Sequence, residues 1–543
     1  MGDSLERVFS RIDRHIESTM RLRRIPGLAL ALTDAHRTLC VRAYGHADIS
    51  TRAPITNDTL FQIGSISKSF TSMVILQMQE NGLLDIDDPV SKYLPWLRIK
   101  SRYGPITLKH LMSHTAGLML GTDFTISGYS EALALNQTPV SVRPGTHFHY
   151  SNSGYKVLGV LIEEMLGMEN GKVIEERILE PLGMDSSTGS ITNDMREGMA
   201  TGYAPLYDDR PAPARGPLSP SPWLEAFTAD GSIASTAPDM AKYVRLILNR
   251  GMGPKGRILS EESFSSMLEK VAHPDDAPAT DGYSLGLDVI DRDGHVMLAH
   301  SGGMLGFISY ILADLDAEFG LVVLVNAALE SYRPEDVAKF AANAFRANLE
   351  GRQLPKAPMA EDPRQISNAK EYAGTYSSGR RALRVVAEGD RLMVLRDKAR
   401  IRLERLDKDS FYTEAEGFEL FRLRFGRKGG KVVELFHGGD WYRGKSYSGP
   451  SRFKTPKMWA SYVGHYRTYN SWFSNFRILL RKGELVLIKP DGSEERLAPL
   501  KGGWFRIGAD ERSPERIRFD HPYKGRMMRA VMPGAEWWRT SAP

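Results

Sequence analysis

The sequence predicts an α+β fold: an antiparallel sheet flanked by helices, followed by two small antiparallel β-barrels. Three observations carry this expectation. Helical patterns open and close residues 1–350 and enclose a set of hairpin signals. A Pro-rich polar stretch comes next. The rest of the chain then repeats itself.

Leu5, Val8, Phe9, Ile12 and Ile16 recur at helical spacing, which predicts a helix over about residues 4–19. The apolar runs Gly27–Leu32 and Thr38–Ala43 flank the turn Thr33-Asp34-Ala35-His36 and read as a hairpin. A long helical pattern runs from Ser65 to Gln79 and stops at Asn81-Gly82. Three strand signals follow at His295–Ala299, Gly306–Ala313 and Leu321–Val325, with Asp314 to Gly320 turning the last two into a hairpin. A final helix begins at Pro334, carries Glu335 and Asp336 in its positive first turn, and stops at Gly351. That order suits an antiparallel sheet with its terminal helices on one face.

Residues 351–368 are polar and Pro-rich and read as a linker. Beyond it, Tyr372-Ala373-Gly374-Thr375-Tyr376 returns as Tyr462-Val463-Gly464-His465-Tyr466. Arg422-Leu423-Arg424-Phe425 returns as Arg516-Ile517-Arg518-Phe519, and Trp441-Tyr442-Arg443 as Trp537-Trp538-Arg539. The offsets drift from 90 to 94 to 96, as loop-length changes between two copies would produce. Alternating runs such as Arg391–Leu395 and Glu484–Ile488 make both copies β-rich. The expected domains are 1–350, 369–455 and 456–543.

The 543 residues carry a net charge of only +5, with both signs interleaved, so no nucleic-acid surface is indicated. The single cysteine, Cys40, excludes an intrachain disulfide and reads as a strand residue. The amphipathic N-terminus lacks the uninterrupted apolar core of a secretory signal, and no run reaches a membrane span. The expected location is cytoplasmic, with no membrane partner. A homodimer is one assembly these features leave open.

Three short patterns carry chemistry. Ser65-Ile66-Ser67-Lys68 opens the strongest helical run, so Lys68 lies one turn from the Ser65 hydroxyl. A serine needs a neighbouring base, and a desolvated lysine can be one. By itself Ser-x-x-Lys is weak: it recurs at Ser153/Lys156, Ser367/Lys370 and Ser451/Lys454. Tyr150-Ser151-Asn152 follows the turn Pro144-Gly145 and offers a phenol for proton relay and an amide for a substrate carbonyl. His300-Ser301-Gly302-Gly303 ends the predicted strand His295–Ala299, and its glycines would let substrate approach backbone. The amides of Ser65 and Gly303 could form an oxyanion hole. Each pattern alone is more readily a helix cap, a core tyrosine or a turn histidine. His147-Phe148-His149 lacks further ligands, so no metal site is expected, and no phosphate loop or cofactor motif is present.

Taken together, Ser-x-x-Lys, Tyr-x-Asn and His-x-Gly, in that order and about 85 and 150 residues apart, resemble the penicillin-recognising serine hydrolases. The class C β-lactamase branch, with Tyr-x-Asn, is the closer likeness. Phe61–Ser65, His110–Leu118, Pro181–Met184 and Asp230–Thr236 share the resemblance, which covers about residues 1–350. It implies a β-lactamase/transpeptidase-like fold, with Ser65 as acylated nucleophile and Lys68 and Tyr150 as proton-transfer pair. Asn152, His300, Gly302 and Gly303 would bind substrate and oxyanion, and His114 would be structural. β-Lactamases carry lysine where this chain has His300, which argues against β-lactamase activity. The catalytic domain with two β-barrels looks like D-aminopeptidase and D-amino-acid amidase. That implies hydrolysis of small amides or peptides with a D-residue on the acyl side. In that family a barrel loop limits substrate size; Ser471–Asn475 and His521–Gly525 are candidates. An esterase, a β-lactamase-like enzyme or a peptide-cyclising acyltransferase with the same Ser-Lys-Tyr site, and a non-catalytic binding protein, are the alternatives.

Overall fold

A computed structural model describes residues 2–121, 123, 127–292 and 294–540. They form two compact units. The first comprises the chain up to Ala204, Ser219–Met359 and Arg512–Pro514. The second comprises Pro205–Leu218, Ala360–Glu511 and the chain from Glu515.

The first unit is built on an eight-stranded antiparallel sheet. Within it Gly27–Asp34 is hydrogen-bonded to Thr38–Asp48 on one side and Phe319–Val325 on the other. Phe307–Asp314, His295–Met304 and Asp288–Arg292 continue it outward. Successive side chains on a strand point to opposite faces, and Phe319 and Gly320 show what covers each. The Phe319 ring lies 4.8 Å from that of Phe345 on the terminal helix Pro334–Leu349. At Gly320 a Cβ would stand 2.2 Å from Val244 on the helix Ala237–Leu248. The N-terminal helix, Gly2–Arg23, packs on Pro334–Leu349, so both terminal helices share one face as expected. The helix Ser67–Glu80 lies in the core on the opposite side and is buried almost all round, including Lys68.

Two of the differences from the sequence reading bear on the site. Ser65 does not open the α-helix: it sits in a 3₁₀ turn, Gly64–Ile66, that leads into it. His300 does not end its strand, which runs from His295 through Gly302 and Gly303 to Met304. Register pairs of Gly302 with Ser309 and Gly303 with Ile308 hold this weak-propensity stretch in the sheet. Tertiary pairing overrides the glycines there.

In the second unit, the first repeat is a nine-stranded antiparallel sheet. Its end strands, Ala399–Arg402 and Glu404–Asp407, are joined through Leu403 alone, so it is nearly closed. The second repeat is a closed eight-stranded barrel. The repeated motifs occupy equivalent places. Tyr376 Oη donates to Tyr372 O at 2.8 Å, and Tyr466 Oη donates to Tyr462 O at 2.8 Å. Phe425 packs 5.0 Å from Tyr372, as Phe519 packs 4.8 Å from Tyr462.

Cys40 is a half-buried strand residue paired with Leu32, and burial pushes its thiol up to about 11. A thiol held protonated in this way is no nucleophile. No helix among the described residues is long and apolar enough to cross a membrane.

Candidate active site

The 3₁₀ turn carrying Ser65 is pressed onto the strand His295–Met304. Gly64 has φ +54°, and a Cβ there would stand 2.6 Å from Gly303 O. A Cβ on Gly302 would stand 1.9 Å from Ile63 O. These two glycines let backbone meet backbone, and Ser309 Oγ completes the contact by donating to Ile63 O at 2.8 Å. The Gly303 side of the strand is open: nothing lies within 4 Å of where its Cβ would be.

The first turns of the helix Ser67–Glu80 are tied to the segment Ala229–Ile233. Ile233 N donates to Ser67 Oγ at 3.2 Å, Thr71 Oγ1 to Ala229 O at 2.7 Å, and Lys68 Nζ to Asp230 O at 2.7 Å. This last bond fixes the Lys68 side chain so that its Nζ also lies 2.9 Å from Ser65 Oγ. Lys68 is 0% exposed, and its burial lowers the ammonium to about 8. At pH 7 about one such amine in ten is unprotonated, against roughly one in a few thousand for a solvated lysine.

Tyr150 precedes the helix Asn152–Leu166, which Ser151 caps by accepting Gly154 N at 3.1 Å. The Tyr150 hydroxyl is near enough to Ser65 for the Ser65 hydroxyl to stabilise its anion, and Lys68 Nζ is 5.1 Å from its ring centroid. Burial pushes the Tyr150 hydroxyl above the usual phenol range, and the Ser65 hydroxyl only partly offsets this. Asn152 begins the helix with its Oδ1 buried and without a hydrogen-bond partner among the described residues.

His300 is buried, its ring 6.4 Å from that of Tyr150. Its Nδ1 lies 2.6 Å from Ser301 O, which can only accept, so Nδ1 carries the proton. Nε2 is then free to accept from Tyr283 Oη at 3.2 Å. Burial, reinforced by Lys68, lowers His300 to about 4. It is therefore neutral and supplies no cation for a substrate carboxylate.

Of the seven residues singled out from sequence, Ser65, Lys68, Tyr150 and His300 come together, and Gly303 lies against Gly64 beside Ser65. Gly302 is packed on Ile63 O, and Asn152 is placed two residues after Tyr150 at the start of its helix. Three further residues bear on the site. His114, expected to be structural, stands beside it: its ring lies 4.1 Å from that of Tyr150. Its Nδ1 accepts Ser151 N at 3.1 Å, and its carbonyl accepts His149 N at 2.8 Å. It thereby grips the backbone on both sides of Tyr150. Burial holds it well below the usual imidazole range. Asp230 and Lys156, both buried, stand behind Lys68. The available signals were the His110–Leu118 block and the Ser153/Lys156 spacing, which by itself looks accidental.

Outside the cleft, His295, Asp314 and Asp316 gather possible ligand atoms within 4.8 Å of one another. Asp314 is already engaged by Arg346 and by His295 Nδ1 at 3.0 Å, which leaves it little capacity for a cation.

Residues 12–344 match the family described as Beta-lactamase. Protein flp of Staphylococcus aureus is 25% identical over 325 residues, covering 58% of this chain and 62% of its own. The chain thus spans less than two thirds of that relative. Penicillin-binding protein 4* of Bacillus subtilis is 23% identical over 421 residues, 73% of this chain and 90% of its own. The octameric penicillin-binding protein homologue of Pyrococcus abyssi superposes with a TM-score of 0.58 at 28% identity, covering 80% of this chain and 99% of its own. The match over residues 12–344 takes in the whole cleft, and the chain belongs to the β-lactamase family of serine hydrolases, which includes penicillin-binding proteins.

Proposed function

We propose that Ser65 is acylated by small amide or peptide substrates, with Lys68 as the base and Tyr150 as the relay. The neutral Lys68 amine takes the Ser65 proton as the hydroxyl oxygen bonds to the substrate carbonyl carbon. The amides of Ser65 and Gly303 receive the oxyanion. Tyr150 passes a proton to the leaving amine as the carbon–nitrogen bond breaks and is reprotonated through Lys68. Water attacks the ester and regenerates Ser65. The observation that carries this reading is the buried Lys68 amine 2.9 Å from Ser65 Oγ.

The substrate is proposed to be a small amide or peptide with a D-residue on the acyl side. The layout of a catalytic domain followed by two barrels supports this, as does a neutral His300 in place of a fixed cation. The unpartnered Asn152 Oδ1 is an acceptor for an N–H on the acyl portion. The same neutrality of His300 favours a second reading, an esterase. A panel of D- and L-amino-acid p-nitroanilides, p-nitrophenyl esters and nitrocefin separates the two. Preferred turnover of D-anilides is expected, with Ser65→Ala lowering it at least about 10³-fold. Retained turnover in Ser65→Ala ends the mechanism, and turnover confined to esters ends the amidase reading.

A further inference from the structure

Behind the Ser65–Lys68 pair lies a second set of buried charges that the proton-transfer scheme does not use. Lys156 is 3% exposed and stands four residues after Asn152, on the same face of the helix Asn152–Leu166. It forms ion pairs with Asp123 and, at 4.0 Å, with Glu131 Oε2. Asp230 is 8% exposed; its carbonyl holds Lys68, while its Oδ1 is buried without a hydrogen-bond partner among the described residues. Two buried lysines, Lys68 and Lys156, and two buried carboxylates, Asp230 and Glu131, therefore share one low-dielectric region.

Like charges there repel strongly, and an anion between two cations stabilises both. Asp230 favours the ammonium form of Lys68, and Lys156 disfavours it. Asp123 adds to the effect of Asp230. The other groups facing Lys68 are the Ser65 hydroxyl, the Tyr150 and Tyr155 rings and the neutral His114 and His300 rings. None of these brings a compensating charge near neutrality.

We propose that Asp230 and Lys156 are positioning residues of opposite sign that together fix the charge carried by the Lys68 amine. This rests on the reading of Lys68 as the base toward Ser65. The Asp230 carbonyl holds Lys68 Nζ, but neither the Asp230 carboxylate nor the Lys156 ammonium is hydrogen-bonded to Lys68 or Ser65 among the described residues. Their effect is on where the acidic limb of the pH profile falls.

The test is the rate of covalent labelling by a fluorophosphonate, followed by intact mass from pH 5.5 to 10 on the full chain. The parent, Asp230→Asn and Lys156→Met are compared, with circular dichroism as a check on folding. Parent labelling at Ser65 should rise with pH through about 8. Asp230→Asn removes an anion and should move this limb down by about 0.5–1.5 pH units; Lys156→Met removes a cation and should move it up by a similar amount. Opposite displacements in those directions support the proposal. Displacements in one direction, or none, overturn it, because loss of packing alone lowers the rate without moving the limb. If either variant does not fold, Asp230→Glu and Lys156→Arg are read instead. These keep the charges and should leave the limb within about 0.3 units of the parent; a larger move overturns the proposal. A parent that fails to label at Ser65 would instead be a failure of the reading on which the proposal rests.

Discussion

At Lys68, burial and geometry act together: the amine is partly neutral because it is desolvated, and it is aimed because Asp230 O holds it. The sign of the resulting pH dependence follows directly. With Lys68 as the proposed base, activity would need the unprotonated amine, so kcat/KM should be low at pH 6, rise through about 8 and level off above it. A profile falling from pH 6 to 9 would exclude Lys68 as base. His114 acts one step removed. His114→Phe keeps an aromatic ring but loses the acceptor for Ser151 N. It should lower kcat about 10–100-fold with KM changed less than about threefold, since Tyr150 would be misplaced rather than substrate binding lost. An equal loss through KM would make His114 a binding residue. Substituting His300→Lys should raise the relative rate of nitrocefin acylation, because the added cation meets the β-lactam carboxylate; an unchanged ratio to a neutral ester would remove charge as the determinant.

Among the elements, the contact between the Ser65 turn and its strand is the most restrictive. A methyl at Gly302 would be forced to 1.9 Å from Ile63 O and 2.2 Å from Ser309 Oγ. Gly302→Ala should therefore cost about 2–4 kcal/mol in urea unfolding and reduce labelling of Ser65. Stability unchanged within about 0.5 kcal/mol would show that the turn is not clamped there. The same contact marks the limit of what the sequence discloses. The helices Gly2–Arg23 and Pro334–Leu349 and the central strands were legible, because apolar periodicity reports which face is buried. The extension of the strand through Gly302 and Gly303 was not, because glycine shows no such pattern and its pairing comes from Ser309 and Ile308. Ser65, Lys68, Tyr150, Asn152 and His300 were legible only as an ordered set. Asp230 and Lys156 were not, because a buried charge reads in sequence as a surface charge.

For the molecule as a whole, the repeat after the linker was visible in three motifs, and the paired Tyr–Tyr hydrogen bonds give it a physical basis. The inclusion of Pro205–Leu218 in the second unit was not visible. It depends on contacts far apart in sequence, such as Ala214 N to Glu404 Oε1 at 2.7 Å and Asn475 Nδ2 to Asp208 O at 2.7 Å. The two repeats are fastened by Lys482, which lies 5.3–6.0 Å from the ring centroids of Phe436, Trp441, Tyr447 and Phe453 and 2.9 Å from Glu434 Oε2. Lys482→Ala should cost about 1–3 kcal/mol in thermal or urea unfolding; no change would show that the cage is incidental.

The most direct measurement is an acid quench during turnover of a p-nitrophenyl ester, followed by peptide mapping. The acyl mass should be found on the peptide containing Ser65, and it should be absent from Ser65→Ala and strongly reduced in Lys68→Met. Acylation of another residue, or rapid turnover with no acylated peptide, would contradict the assignment of Ser65 as the nucleophile.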